Sequence, residues 1–139
     1  MSNRSLFLVA IVVDDYERAK SFYCGSLGFE CLEDSPQAEG KRWLVVKPKG
    51  GEGAALLLAR ADGSGQARAI GNQTGGRVGF FLRTDDFVRD HSAYLAVGVS
   101  FLEAPRHEPY GTVAVFEDIY GNRWDLIQPA GSASMEAAP

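Results

Sequence analysis

The 139-residue sequence lacks features that several classes of protein require. Its formal net charge of −4 leaves no excess of basic residues to neutralise phosphates, so we expect no nucleic-acid partner. No apolar run approaches the roughly 20 residues that a membrane span needs. The apolar run Leu6–Val13 ends in two aspartates without a small-residue cleavage site, which predicts a strand and not a signal peptide. We therefore expect neither a membrane partner nor a secreted scaffold.

Cysteine is also scarce, with Cys24 and Cys31 the only two. They could pair, but a chain with 45% hydrophobic residues can build a core without a disulfide. We predict that both are reduced, packed thiols and that the protein is cytoplasmic.

Motifs of common enzyme classes are missing as well. The sequence has no nucleophile elbow, no dinucleotide fingerprint and no Cys-His arrangement. The glycine-rich segment 50–53 is not followed by Lys-Ser or Lys-Thr, so a phosphate-binding loop is unsupported.

The sequence does contain an internal repeat. Val12–Tyr16 recurs as Arg83–Phe87, and further matching pairs follow in the same order, such as Val45-Val46 with Val115-Phe116. Their co-linear order indicates two copies of one supersecondary unit within a single domain, residues 1–129.

The residue pattern of each copy predicts elements in the order β-α-β-β-β, which indicates the fold class α+β. In the first module, residues 6–59, Asp14 or Asp15 caps the helix. Its strands are expected at Leu6–Val13, Phe29–Glu33, Trp43–Lys47 and Ala54–Ala59. The second module, residues 77–128, has a predicted helix at Asp86–Ala96 and strands at Arg77–Arg83, Ser100–Glu103, Thr112–Glu117 and Arg123–Gln128. Residues 60–76 are predicted to be a flexible connector and residues 130–139 a flexible tail.

A β-α-β-β-β unit leaves one sheet face uncovered by its own helix, so two units can enclose a cleft. Alternation along the strands then predicts which side chains face the cleft. The repeat places Leu8, Leu57, Gly79 and Asp125 at equivalent positions on that face. Further residues on the same face are Leu6, Ala10, Ala55, Phe81, Arg83, Arg123 and Ile127. The opposite register, which would place Trp124 and Leu126 inside, stays open.

Two stretches of the chain resemble the vicinal oxygen chelate superfamily of glyoxalase I, bleomycin-resistance proteins and extradiol dioxygenases. The first runs from Val12–Asp15 through Ser21–Tyr23 to Leu27–Phe29. The second, Phe116–Ile127, is similar to the family's closing hairpin, F-x-D-x-x-G-N-x-x-[ED]-L. The resemblance covers residues 6–129 and implies paired βαβββ modules, a curved mixed sheet around a pocket, and a homodimer.

The resemblance implies a metal only where ligands are present. The metal-binding positions of the family fall on Leu8, Leu57, Gly79 and Asp125, and only the last offers a donor atom. One carboxylate does not hold a catalytic Zn, Ni, Fe or Mn ion. We therefore expect no metal and no other cofactor, although His107 could approach the pocket mouth.

Several polar and aromatic residues are candidates for contact with a ligand. Asp125 is an acid on an apolar face. It is either a general base or hydrogen-bond donor with a raised pKa, or a structural carboxylate paired with Arg123 or with a backbone donor. Arg83 could grip an anion, and Glu108 and Tyr110 lie in a loop that could fold over the pocket. Among the aromatic residues Trp43, Phe81 and Trp124, Phe81 has the best position by face. A larger side chain at Gly79 is expected to fill the cleft and leave the fold intact.

Three functions are compatible with these residues. The first is sequestration of a small organic molecule in a largely apolar cleft, as in the bleomycin-resistance branch. The alternative is a lyase, isomerase or dioxygenase that acts through Asp125 or a displaced metal site. A non-catalytic module that binds a partner through its sheet edge is a third possibility. In each case exposed apolar faces and edges favour a homodimer.

Overall fold

The structure, a computed structural model, describes residues 2–131. The chain divides into two compact units at the boundary between Gln73 and Thr74. This boundary falls inside the predicted connector, and each unit carries the strands of one predicted module. Of the predicted tail, residues 132–139 lie outside the described residues. That both units form a single domain stays a prediction.

The first unit follows the predicted order β-α-β-β-β, with additions. Its elements are β1 (Leu8–Val13), α1 (Tyr16–Lys20), a π-helical segment (Ser21–Ser26), β2 (Glu30–Pro36), a 3₁₀ turn (Ala38–Gly40), β3 (Arg42–Lys47), β4 (Ala55–Arg60) and α2 (Gly63–Ala69).

Helix α1 begins where the sequence predicts. The Asp15 carboxylate accepts a hydrogen bond from the Arg18 backbone N–H at 3.0 Å, which caps the helix. The Tyr23 ring is fully buried and lies 5.7 Å from the Phe29 ring, centroid to centroid. The apolar side of the helix thus packs on the chain that leads into β2.

The first sheet has the strand order β1-β4-β3-β2, in which β1 and β4 are parallel and the other neighbours antiparallel. Ile11, Leu58 and Val46 are fully buried on the side covered by the helix. The register pairs Leu8 with Ala55 and Ala10 with Leu57, which places them on the opposite side. We call that side the open face of the first sheet.

The second unit contains one α-helix and five strands within residues 74–131. Its elements are β5 (Val78–Arg83), α3 (Phe87–Ala96), β6 (Ser100–Phe101), β7 (Arg106–Glu108), β8 (Gly111–Glu117) and β9 (Arg123–Pro129). The sheet order is β5-β9-β8-β6, with β7 also paired to β8, and β5 runs parallel to β9.

An aromatic stack forms the core between α3 and the second sheet. The Trp124 ring stacks on Phe80 and Phe116, with centroids at 4.9 and 5.9 Å, and Tyr94 of α3 contacts Phe116 at 5.8 Å. Leu126 is also fully buried on this side. Residues Arg123, Asp125 and Ile127 alternate with these and face the other way, on the open face of the second sheet. The alternation agrees with the predicted register and not with the opposite one.

The turn between β8 and β9 is held by one carboxylate. Asp118 is buried and accepts hydrogen bonds from the backbone N–H groups of Tyr120 and Asn122, both at 2.9 Å, and from the Asn122 side chain at 2.8 Å. Gly121 adopts a φ of 100°, which favours glycine. The motif residues Asp118, Gly121 and Asn122 therefore build the turn itself.

Three local predictions are wrong. The connector 60–76 is not irregular throughout, because helix α2 forms within it. It is also tied to β1, since the Gln73 side chain accepts a hydrogen bond from the Val12 backbone N–H at 2.9 Å and donates one to the Ala10 carbonyl at 2.7 Å. The loop before β8 contains the strand β7, which pairs antiparallel with β8. Both cysteines are free, but only Cys24 is half-buried and Cys31 is exposed. Since β2 is an edge strand, no neighbouring strand covers Cys31 on its outer side.

A helix must be long and apolar to span a membrane, so the length and hydropathy of the helices are relevant here. Within residues 2–131, no helix is long and apolar enough to cross a bilayer.

Candidate functional site

A cavity of about 450 Å³ lies on the open face of the first sheet. Leu8 and Ala55 form part of its wall, and Val45 and Trp43 of β3 continue it because Val45 pairs with Leu57 in the sheet register. The full set of lining residues is Ser5, Leu6, Phe7, Leu8, Leu32, Glu33, Trp43, Val45, Lys47, Glu52, Gly53 and Ala55. The volume lies within the range of small-molecule pockets.

Exposed apolar side chains of the first unit gather at this cavity. Within residues 2–73, the large hydrophobic residues that are exposed are Leu6, Phe7, Leu32 and Trp43, and all four line the cavity. Leu6 and Phe7 are 75% and 74% exposed. A concentration of exposed apolar surface around one concavity is typical of a binding site.

A β-bulge in β2 shapes the cavity wall. Cys31 pairs with Val46 and Glu33 pairs with the adjacent Val45, so Leu32 is the extra residue. Because of this extra residue, Leu32 and the following Glu33 both line the cavity. Lys47 and Glu52 add two charged groups of opposite sign to the wall. The cavity is therefore apolar with a few polar groups, as small-molecule sites commonly are.

The predicted residue Leu57 lies on the open face beside this cavity and is half-buried. Its neighbours in the register are Ala10 on β1 and Val45 on β3. Leu8 lines the cavity, but Leu57 is not among its lining residues.

The remaining predicted residues belong to the second unit. The register pairs Phe81 with Asp125 and Arg83 with Ile127, so Phe81, Arg83 and Asp125 share the open face of the second sheet. The Phe81 ring is 52% exposed, whereas Arg123 lies at the start of β9 and is exposed.

Asp125 is the half-buried carboxylate of this face. Its Oδ1 atom is buried and has no hydrogen-bond partner within residues 2–131. Burial raises the pKa of Asp125, the nearby Arg106 charge opposes that shift, and Glu103 adds to it. The cation that acts on Asp125 is thus Arg106 and not Arg123. A carboxyl group in this setting can donate or accept a proton.

Arg106 is held by a group of polar side chains. Its Nε donates to both carboxylate oxygens of Glu103 at 3.0 Å, and its Nη1 donates to Glu108 at 2.9 Å. Side-chain hydrogen bonds with Glu103 and then Tyr110 raise the pKa of Arg106. Glu103 also accepts from the Val115 backbone N–H at 3.0 Å. The structure therefore brings the predicted Glu108 and Tyr110 together around Arg106, which is close enough to affect Asp125.

The repeat predicts that Gly79 faces an open cleft, but the Thr74 side chain occupies the space beside it. It lies at a bulge in β5, between the paired residues Val78 and Phe80. A Cβ atom built on Gly79 would lie 2.3 Å from Thr74 Cγ2, and the Thr74 hydroxyl donates to the Arg77 carbonyl at 2.8 Å. A larger side chain would therefore collide with Thr74, which corrects the expectation that the fold would accept tryptophan here.

The side chains at the family's metal positions do not fit a metal ion. Leu8 and Leu57 have hydrocarbon side chains and Gly79 has none, so these three positions supply no donor atom. Asp125 supplies a carboxylate, but it lies near the positive charge of Arg106, which would repel a metal cation. Across the described part of the chain, residues 2–131, no three His, Cys, Asp or Glu side chains group as metal ligands. His107 is exposed, with Nδ1 3.3 Å from the Thr112 hydroxyl, and His91 stacks on Phe87.

The sequence pattern does not predict some of the residues that form this site. Trp43 is 38% exposed and lines the cavity, although Phe81 has the better predicted position among the aromatic residues. Its alternation with Val45 and Lys47 is the signal that could have placed it there. Leu32 and Glu33 depend on a bulge, and Arg106 depends on strand β7, so neither arrangement follows from alternation alone.

Known proteins are similar to this chain over most of its length. Residues 5–126 match the sequence model of the Glyoxalase/Bleomycin resistance protein/Dioxygenase superfamily. An uncharacterized protein of Shewanella frigidimarina (strain NCIMB 400) is 52% identical over 126 residues, covering 90% of this chain and 93% of that protein.

Solved structures are similar as well. TnmS3, described as an antibiotic binding protein from Streptomyces sp. CB03234, is 34% identical with a TM-score of 0.75, covering 94% of this chain and 99% of its own. UcmS2 is 32% identical with a TM-score of 0.78, covering 91% and 98%. These likenesses confirm the predicted fold class, α+β with βαβββ modules.

Proposed function

Since the chain belongs to the Glyoxalase/Bleomycin resistance protein/Dioxygenase superfamily, we propose that it binds and sequesters a small organic molecule without a metal ion. The observation that carries this proposal is the cavity on the open face of the first sheet, with its rim of exposed apolar side chains. Burial of apolar ligand surface against Trp43 and Leu32 would supply the binding free energy.

The polar groups of the cavity suggest how a ligand is oriented. Lys47 is half-buried and lies on the same face of β3 as Trp43 and Val45, which are four and two residues away. An apolar ring system would lie against Trp43 while a polar substituent reaches Lys47 or Glu33. A similar protein, TnmS3, is described as antibiotic binding, which supports a ligand of this size and character.

We also propose that residues on the open face of the second sheet are ligand contacts of the second unit. Phe81 offers an exposed ring, and Asp125 offers a carboxyl oxygen without a hydrogen-bond partner within the described chain. Arg83, Arg123, Glu108 and Tyr110 are proposed to contact the polar parts of the ligand. In this proposal the protein acts as a homodimer.

A thermal-shift screen tests the proposal. The protein is held in a buffer that contains a metal chelator. Its thermal unfolding is measured with bleomycin and, separately, with each of a panel of polycyclic aromatic antibiotics. A ligand at about 100 times its Kd stabilises the folded state by about 2.7 kcal/mol, which raises Tm by several degrees. Trp43→Ala should lose the shift, while Leu95→Ala, at an exposed position on α3, should keep it. Failure of every compound, or equal shifts in both variants, would contradict a site in this cavity.

Asp125 supports a second candidate function, acid–base catalysis in a lyase or isomerase. Burial raises the pKa of its partly buried carboxyl group above the ordinary value, as is common for general acids and bases. This candidate predicts turnover of a bound carbonyl compound that disappears in Asp125→Asn while binding persists. Binding without turnover in the unmodified protein would favour sequestration.

A further inference from the structure

Cys31 lies on the side of the first sheet that the helix covers. Its register partner, Val46, is fully buried on that side, and directly opposed residues of an antiparallel pair point the same way. Cys31 is nevertheless exposed, since β2 is the edge strand of the sheet. Its thiol is therefore both near the helix and accessible to solvent.

Two contacts hold the helical segment against the chain of β2, one on each side of Cys31 in the sequence. Lys20 Nζ lies 2.9 Å from the Asp34 carboxylate. At the other end, the Phe29 backbone N–H donates to the Tyr23 carbonyl at 2.9 Å.

Cys24 follows Lys20 by about one helical turn and is adjacent to Tyr23, while Cys31 lies between Phe29 and Asp34 on the strand. Burial raises the pKa of the Cys24 thiol, the Cys31 charge adds to this, and Lys20 opposes it. The two contacts, together with the effect of the Cys31 charge on the Cys24 thiol, indicate that the two cysteines lie near each other.

We propose that Cys24 and Cys31 form an intramolecular disulfide when a peroxide oxidises Cys31. The exposed Cys31 thiolate attacks one peroxide oxygen, becomes a sulfenic acid and releases water or an alcohol. The half-buried Cys24 thiol then attacks the Cys31 sulfur, and the sulfenic hydroxyl leaves as water. Two thiols and one peroxide give one disulfide, with the peroxide as the oxidant that accepts two electrons.

The disulfide would form beside the bulge that shapes the cavity. Leu32 and Glu33, which line the cavity, directly follow Cys31. We expect oxidation to weaken ligand binding by restraining this part of the wall. That consequence rests on the proposed function, whereas disulfide formation itself does not.

Peptide mapping of the full-length protein after treatment with one equivalent of hydrogen peroxide tests the disulfide without any ligand. Trypsin releases residues 21–41 as one peptide that holds both cysteines, and cleavage after Glu30 separates them. We expect the loss of both free thiols and a peptide that stays joined after the second cleavage until dithiothreitol is added.

Single variants identify the order of events. In Cys24→Ser, Cys31 should accumulate as a sulfenic acid that dimedone traps, and in Cys31→Ser, the remaining thiol should react much more slowly. Two free thiols after peroxide, a disulfide only between chains, or equal reaction rates in both variants would overturn the proposal.

Discussion

Arg42 and Asp34 form a bidentate ion pair across β3 and β2, with Nε to Oδ1 at 3.0 Å and Nη2 to Oδ2 at 2.7 Å. Lys20 of α1 reaches the same carboxylate at 2.9 Å, so Asp34 joins two strands and a helix. The hydrogen bond from Arg42 and then that from Lys20 lower the pKa of Asp34 to about 2.

Asp34→Asn should therefore destabilise the protein in a pH-dependent way. The folded-state pKa lies below the ordinary value of 3.8, so the stabilisation is present above pH 4 and is lost as the pH falls towards 2. We expect a loss of about 1 kcal/mol at pH 7 that vanishes near pH 2. Urea unfolding of both proteins across this range measures it.

Asp62→Asn provides a matched control. Its ion pair with Lys41 is 3.6 Å long and both side chains are more than half exposed. This change should leave the free energy of unfolding almost unaltered at every pH. A pH-independent loss in Asp34→Asn would show that its charge is not the cause.

Gly79→Ala should destabilise the protein by about 1–3 kcal/mol, because its Cβ would overlap Thr74 Cγ2. Thr74→Ala removes that methyl group, so the double variant should recover part of the loss. Gly25→Ala is the control, since no described atom beyond its chain neighbours and its own helical backbone lies within 4 Å of a Cβ there. Thermal unfolding compares the four variants, including Thr74→Ala alone, with the unmodified protein. If the stability changes of the two single variants simply add in the double variant, the Thr74 side chain is not what prevents a larger residue at position 79.

Asp125→Asn should alter stability in the opposite pH direction from Asp34→Asn. Burial raises the pKa of Asp125, so folding favours its protonated form and ionisation costs stability as the pH rises above the ordinary value of 3.8. The Asn variant should match the wild-type protein near pH 3 and exceed its Tm at pH 7. A lower Tm at pH 7 would indicate that the ionised carboxylate is stabilised by Arg106.

The repeat and its alternation predict the fold because they reflect local physics. Asp15 caps α1 as its sequence position predicts, and the alternation of Trp124, Asp125 and Leu126 separates the core from the open face. The hairpin motif residue Asp118 is polar because three N–H groups of its turn need an acceptor. Each of these outcomes depends on residues close in sequence.

The site is less predictable because it depends on irregularities. Bulges at Leu32 and Gly79 shift the alternation in β2 and β5, and no residue pattern in the sequence marks them. Pairing of β7 with β8 brings Arg106 close to Asp125 through contacts between strands. The sequence offers Arg123 as one possible partner of Asp125, but the arginine whose charge acts on this carboxylate is Arg106.

The most direct test of ligand binding uses the two tryptophans. Trp43 lines the cavity, whereas Trp124 is buried in the core at 4% exposure. Titration of the protein with a polycyclic aromatic antibiotic, in a chelator, should quench Trp43 emission saturably. Trp43→Phe, which retains Trp124, should show little quenching.

Calorimetry on the same samples gives the affinity and its metal dependence. Our account predicts one bound molecule per chain with the same Kd with and without chelator, together with quenching that is lost in Trp43→Phe. Binding that requires a divalent cation, or that leaves Trp43 emission unchanged, would contradict it.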